Sequence, residues 1–271
     1  MPEGDTVFQT AKRLNAVLAG AEVARFDLRV PGSATVDLRG ETVREVVPCG
    51  KHLLLRVGEV TLHSHLKMEG RWDLYRPGES WRRPAFRARA IVGVDESALD
   101  DAPRDAVGFD LAMVEALPTR DEDRIVGHLG PDPLGAEWDA AEAARRVGAD
   151  PRPVHVAVQD QRNVAGFGNE YANELCFVRG IHPATPATET DAFSLVELGA
   201  RMIRANVDRA DRTFTGDPRP GRTTWVYRRQ GRPCRRCGTS IRSTALGADP
   251  TRERVVFWCP ACQPLAVQTG R

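Results

Sequence analysis

The sequence predicts an α+β multidomain chain. Its first part is an all-β sandwich or barrel opened by a helix, its middle is helical, and a cysteine-bearing β-hairpin closes it. Three observations carry that reading. Residues 22–94 break into short Val- and Leu-rich runs separated by turn signals; helical composition takes over from residue 123; and two Cys-x-x-Cys pairs lie near the C-terminus. At 271 residues the chain has room for about two domains and a small third module, drawn here as 1–122, 123–225 and 226–271.

Residues 6–18 repeat apolar side chains at helical spacing, with Val7, Ala11, Leu14 and Leu18 on one face. Asp5 is the expected N-cap and Gly20 the stop. Strands are expected at 23–30, 42–47, 52–57, 60–65, 71–75 and 86–94, and one more before Leu117-Pro118. Helices are expected at 139–147 and 195–207. Between them, residues 152–161 and 169–179 read as two helices joined by a glycine-punctuated turn, with Gly180 closing the second. Such a turn feeding a helix N-terminus offers backbone N–H groups to phosphate, and Asn169 would add a side-chain donor. Residues 208–222 read as a linker.

Cys234-x2-Cys237 and Cys259-x2-Cys262, 21 residues apart, supply four soft thiolates in two close pairs. That set suits one tetrahedral Zn2+ with no position left for water, a structural site. Strands at 241–246 and 253–258 would form the intervening hairpin, with Arg252 and Arg254 near its tip as candidate phosphate clamps. Cys49 and Cys176 are expected to be reduced core thiols.

The formal charge is only +1, from 38 Lys plus Arg against 37 Asp plus Glu, so net charge announces no partner. Its distribution does, because residues 219–242 are rich in arginine and contain no acid, which suits a polyanion. No apolar run is long enough for a membrane span and the N-terminus lacks a signal-peptide core, so a cytosolic location is expected.

The chain begins Met1-Pro2-Glu3-Gly4-Asp5. Once Met1 is removed, Pro2 offers a free secondary amine with a pKa near ~8, a nucleophile able to form an iminium with a sugar C1′. Glu3 beside it is a candidate general acid.

Together these residues resemble the formamidopyrimidine-DNA glycosylase / endonuclease VIII family of base-excision repair. The resemblance rests on Pro2-Glu3-Gly4, the run from Gly50-Lys51-His52, the run from Leu62 to Trp72 containing Lys67-Met68-Glu69-Gly70, and Asp160-Gln161-Arg162-Asn163 continuing to Asn169. It extends through Val226-Tyr227-Arg228-Arg229 and both cysteine pairs, spanning essentially the whole chain. It implies an N-terminal β-sandwich, a helix-two-turn-helix domain and a zinc β-hairpin finger, with damaged DNA held in the cleft between two lobes of a monomer in a bacterial-type cytosol or nucleoid. By position it implies Pro2 as Schiff-base nucleophile, Glu3 as acid/base and Lys51 as a phosphate-contacting lysine that assists strand cleavage. Asn169 and Arg254 would clamp the phosphates around a flipped nucleotide, and Met68, with Lys67 beside it, would fill the gap in the stack.

Gln159 departs from the family's usual apolar residue before Asp-Gln. The short, Pro-rich stretch 211–224 and the long gap inside the finger favour the endonuclease VIII side and oxidised pyrimidines. The alternatives are an oxidised-purine glycosylase and a noncatalytic protein that binds abasic sites.

Overall fold

The computed structural model describes residues 2–95, 105–247 and 253–265. It divides into two units, Met1–His128 and Leu129–Arg271. Among the described residues no helix is long and apolar enough to cross a membrane.

In the first unit, helix α1 spans Gly4–Leu18 and buries Val7, Ala11, Leu14 and Leu18. Asp5 is not the cap. Glu3 precedes the helix in an extended conformation, and Asp5 lies in the first turn, accepting the Thr6 N–H at 2.7 Å. A carboxylate there still meets the positive end of the helix dipole, so an acid near a helix start fixes the start only to within a residue or two.

Among the described residues of this unit eight strands follow: β1 (Val23–Leu28), β2 (Val43–Cys49), β3 (His52–Val57), β4 (Val60–His65), β5 (Arg71–Tyr75), β6 (Ala88–Val94), β7 (Asp105–Phe109) and β8 (Met113–Pro118). They form two antiparallel sheets, β1-β6-β7-β5 and β2-β3-β4-β8, so the fold is a sandwich rather than a closed barrel. The single strand expected before Leu117 is two, β7 and β8. They are separated by a tight turn in which Asp110 takes φ +51, a conformation that composition does not advertise in a non-glycine residue.

The sandwich core joins α1 to both sheets through Leu14, Leu53, Leu55, Leu62, Trp72 and Val92. Strand β3 is buried on both faces, which is why it reads Leu53-Leu54-Leu55 instead of alternating. Arg56 bridges Glu45 and Glu122, each at 2.6 Å, tying the segment leading into the short helix α2 (Asp123–Val126) to the second sheet.

The second unit contains α3 (Ala140–Gly148), α4 (Val154–Ala157), α5 (Asn169–Arg179) and α6 (Ala192–Arg204). Asp139 caps α3 through the Glu142 N–H at 2.9 Å, and Asp191 caps α6 through the Ser194 N–H at 3.0 Å. The helix expected over 152–161 is the single turn α4. Asp160 turns back to accept the Arg162 N–H, and the Gln161 side chain is spent on the following turn, so helical pairing stops early. Gly180 ends α5 at φ +70, as its position suggested.

The last element is the antiparallel hairpin of β9 (Arg242–Leu246) and β10 (Arg254–Trp258), with Arg254 opposite Leu246. Helix α5 serves two cores. Tyr171 and Leu175 pack with Phe167, Leu195 and Ile203, whereas Phe177 joins Val226, Tyr227, Ile241 and Phe257 under the hairpin.

Glu174 is the polar link at that junction. It is fully buried, and its carboxylate accepts the N–H groups of Trp225 (2.8 Å), Val226 (3.0 Å) and Tyr227 (2.8 Å). Burial pushes its carboxyl up to about 7 although these three donors pull it down. Between its ordinary value and about 7 the folded protein therefore holds a proton that the unfolded chain has released. Stability conferred by this group falls as pH rises through that window, by about 3 kcal/mol in all. Denaturant unfolding of the second unit at pH 5 and pH 8 will show this loss. A Glu174→Gln protein will lack it and, with an amide N–H facing backbone donors, will be less stable than the parent at pH 5 by about 2 kcal/mol.

Candidate active site and metal centre

The candidate reactive groups of the first unit lie at the chain start and in the β2–β3 turn. Pro2 is half-buried and Glu3 wholly so, immediately before α1. Burying a carboxyl group is costly unless it has a task or a partner, and Glu3 engages in polar interactions there. Lys51 sits in a two-residue turn between Cys49 and His52, opened by Gly50 at φ +56, a conformation suited to glycine.

The loop after β4 is built to expose one apolar side chain. Leu66 is buried, Met68 is 62% exposed, and Lys67 between them takes φ +52. The Lys67 N–H donates to His65 Nδ1 at 2.9 Å, which holds this uncommon backbone. A side chain at Gly70 would meet the Leu66 carbonyl oxygen at 2.5 Å, so the loop closes only with glycine there.

In the second unit, Gln161 organises the turn before α5. Its amide donates to the carbonyls of Gln159 (2.7 Å) and Phe167 (2.9 Å) and its oxygen accepts the Gly166 N–H (3.0 Å). Gln159 is not directed away from the fold; its amide donates to the His155 carbonyl at 2.8 Å. His155 is buried and held neutral, its pKa pushed down to about 4 by desolvation.

Asn169 opens α5. Its side chain donates to the Val255 carbonyl at 3.1 Å, and Asn173 one turn later accepts the Phe257 N–H at 2.6 Å. Those two backbone groups lie on the same edge of β10, so the asparagines stand in for a neighbouring strand and bring the start of α5 against the hairpin. Arg254, adjacent to Val255, is exposed and donates to the Glu253 carbonyl at 3.0 Å. Arg252, the other arginine singled out in the sequence, lies outside the described residues.

The sulfur atoms of Cys234, Cys237, Cys259 and Cys262 lie within 4.8 Å of one another. Cys237 and Cys259 are 3.4 Å apart, Cys237 and Cys262 3.5 Å, and Cys234 and Cys262 3.9 Å. These separations are far longer than a disulfide and match the ~3.8 Å edge of a tetrahedron with ~2.3 Å metal–sulfur bonds. Burial and the neighbouring thiols push Cys262 up to about 12, and a cation among the sulfur atoms would favour its thiolate. The set can hold a metal ion. Cys176 is buried and its thiol is pushed up to about 12 by desolvation, as fits an inert core residue; Cys49 is half-buried.

Sequence reasoning passed over Glu174 and Asn173, whose burial depends on distant partners. It also passed over His52, His63 and Glu115, although His63 and His65 at alternate positions of a strand were a visible signal.

The fold and these constellations have known counterparts. The profile of the formamidopyrimidine-DNA glycosylase N-terminal domain matches residues 1–112, and that of the formamidopyrimidine-DNA glycosylase H2TH domain matches residues 129–207. The chain is 48% identical to the probable endonuclease 8 2 of Streptomyces coelicolor, over 97% of this chain and 94% of the relative. It is 47% identical to the DNA-(apurinic or apyrimidinic site) lyase Nei2 of Mycolicibacterium smegmatis, over 97% and 99%. Among solved structures, the MutM (Fpg) protein of Thermus thermophilus superposes with a TM-score of 0.78 at 26% identity, over 98% of this chain and all of that one. The chain belongs to the formamidopyrimidine-DNA glycosylase / endonuclease 8 family. It is an enzyme of that class, a DNA glycosylase that is also a lyase of apurinic or apyrimidinic sites.

Proposed function

We propose that this enzyme excises oxidised bases from DNA, pyrimidines in preference, through a Schiff base on Pro2. The observation that carries the reading is the pairing of a half-buried Pro2 with a wholly buried Glu3 at the entrance to α1. With Met1 removed, the Pro2 nitrogen attacks the sugar C1′ while the C1′–N bond to the base breaks and the base leaves with a proton; the C1′–O4′ bond then opens, the ring oxygen keeping the electron pair and taking a proton, and Glu3 is the donor to the departing base or to that oxygen. The resulting iminium acidifies the C2′ proton. Its loss drives β-elimination of the 3′ phosphate, and δ-elimination of the 5′ phosphate follows, with Lys51 contacting phosphate.

Asn169 and Arg254 would hold the DNA backbone while the damaged nucleotide is out of the stack, and exposed Met68, with Lys67 beside it, would occupy the gap. This reading keeps a division into a catalytic part at residues 1–122, a helical part with the turn before α5 at 123–225 and a metal hairpin at 226–271. One Zn2+ on the four cysteines is the reading best supported by an all-thiolate set closed to water. The metal has no step in the reaction.

The pyrimidine preference is supported by the short stretch 211–224 and by the similarity to endonuclease 8 relatives. It is tested by single-turnover excision from duplexes carrying 5-hydroxyuracil, thymine glycol or 8-oxoguanine, with borohydride trapping on an abasic-site duplex. The expected result is a covalent adduct at Pro2 and faster release of both pyrimidines, by tenfold or so. Faster release of 8-oxoguanine would establish the purine alternative, and absence of an adduct from Met1-free protein would favour the noncatalytic abasic-site binder.

A further inference from the structure

Among the described residues of the first unit, the large apolar side chains left exposed are Met68, Phe86 and Met113. Strand register brings all three to one end of the sandwich. Phe109, which ends β7, is paired on one side with Arg71, the first residue of β5, and on the other with Ala88, the first of β6. The loop carrying Met68 leads into Arg71, and the turn Ala85–Arg87, carrying Phe86, leads into Ala88. Met113 opens β8 opposite His65, the last residue before the Met68 loop.

These segments are tied to one another. Asp110, in the turn after β7, holds Arg83 at 3.1 Å and Arg87 at 2.7 Å, and its N–H donates to the Arg87 carbonyl at 3.0 Å. Arg87 also reaches Glu69, the neighbour of Met68, at 3.7 Å. Arg29 donates to the Ala85 carbonyl at 3.0 Å, and the Arg87 N–H to the Pro84 carbonyl at 3.0 Å. Trp81 of the same loop packs edge-on against Phe109, with ring centroids 5.7 Å apart. A turn braced at so many points nevertheless leaves its aromatic ring 78% exposed. One exposed ring is ordinary, but three large apolar side chains gathered at one end mark a contact surface. The charge around them says what kind. Residues 76–89 carry Arg76, Arg82, Arg83, Arg87 and Arg89 against a single acid, Glu79, and Asp110 and Glu69 leave that excess positive. An aromatic ring set among arginines suits a nucleic acid.

We propose that this end of the sandwich contacts DNA beyond Met68, and that Phe86 stacks on the base opposite the lesion. The proposal rests on reading Met68 as the side chain that fills the gap in the stack. Withdrawal of a nucleotide leaves its former partner unpaired, and Met68 fills only the space vacated. Phe86 stands on a turn fastened to the Met68 loop through Arg87 and Glu69, so a rigid ring is brought to the opened duplex at little cost in entropy. The surrounding arginines would lie among phosphates and add affinity that salt weakens.

The test uses a duplex with a tetrahydrofuran abasic analogue opposite 2-aminopurine, and the same abasic strand alone, with Phe86→Ala, Phe86→Trp and Met68→Ala proteins. Phe86 is exposed, so its variants should unfold at the parent's temperature. Phe86→Ala is expected to lose about tenfold in affinity for the duplex and to stay within about twofold on the single strand. Emission of 2-aminopurine, which stacking quenches, should be brighter in the Phe86→Ala complex than in the parent complex and dim again in Phe86→Trp. Parental duplex affinity and emission in Phe86→Ala would overturn the proposal. So would equal losses on duplex and single strand, which would put the ring on the damaged strand. Met68→Ala reports separately: parental duplex affinity in that protein sinks the gap-filling reading, while the Phe86 contact is decided by its own two variants.

Discussion

A Pro2→Gly protein is expected to excise damaged bases about a thousandfold more slowly than the parent, a loss of roughly 4 kcal/mol from the transition state. The terminal amine survives this substitution, so the loss must come from its kind. A secondary amine on C1′ can form only a cationic iminium, which remains an electron sink until C2′ gives up its proton. The imine of a primary amine can shed its own proton and become neutral. Glycine also frees the backbone that proline holds rigid beside the buried Glu3. The companion change Glu3→Gln separates the two steps. Base departure needs a proton donor and should fall by about 10²–10⁴. An abasic site has already lost its base, so trapping and cleavage of abasic duplex should largely persist. Single-turnover excision, abasic-site cleavage and borohydride trapping on both variants measure this. Equal loss of all three in Glu3→Gln would remove Glu3 as the donor to the departing base.

Metal removal has the second large effect. The hairpin module has a small core, Val226, Tyr227, Ile241 and Phe257 against Phe177, and a two-stranded hairpin is at best marginal alone in water. Four thiols within 4.8 Å repel one another as thiolates when no cation lies between them. Structural zinc sites of this kind contribute on the order of 10 kcal/mol to folding. Elemental analysis is expected to return one zinc per chain. Exhaustive chelation, or Cys237→Ser, should unfold β9 and β10 and weaken binding to abasic duplex at least a hundredfold, with the sandwich still folded by circular dichroism. Retention of full affinity by demonstrably metal-free protein would refute a supporting role for the metal in DNA binding.

Much of this architecture was legible because its signals are local. Strands β3, β4 and β5 fell on their expected residues since turn glycines and prolines bracket them, and α5 did so because Gly168 and Gly180 punctuate it. The cysteine spacing announced the four-cysteine cluster for the same reason. What stayed hidden depends on partners far along the chain. Nothing near Glu174 foretells that residues 225–227 will turn three N–H groups onto it, and nothing near His63 foretells Glu115. The helix at 152–161 was overextended because the side chains of Asp160 and Gln161 compete for backbone groups, a contest that periodicity does not weigh. Position alone matched Asn169 and Arg254 to one task, and the Asn169–Val255 bond gives a physical reason for their proximity.

The two asparagines on the edge of β10 make the position of the hairpin discrete. Asn169 and Asn173 engage a carbonyl and an N–H two residues apart, and along a strand such an edge repeats only every second residue. A sliding hairpin would have to give up both bonds and travel about 7 Å before finding equivalent ones. Small errors in the placement of Arg254 along the helix are therefore not available as shallow minima. The guanidinium is either in register with the turn before α5 or displaced by a full repeat, and strain or mutation in the hairpin should switch DNA affinity off rather than detune it.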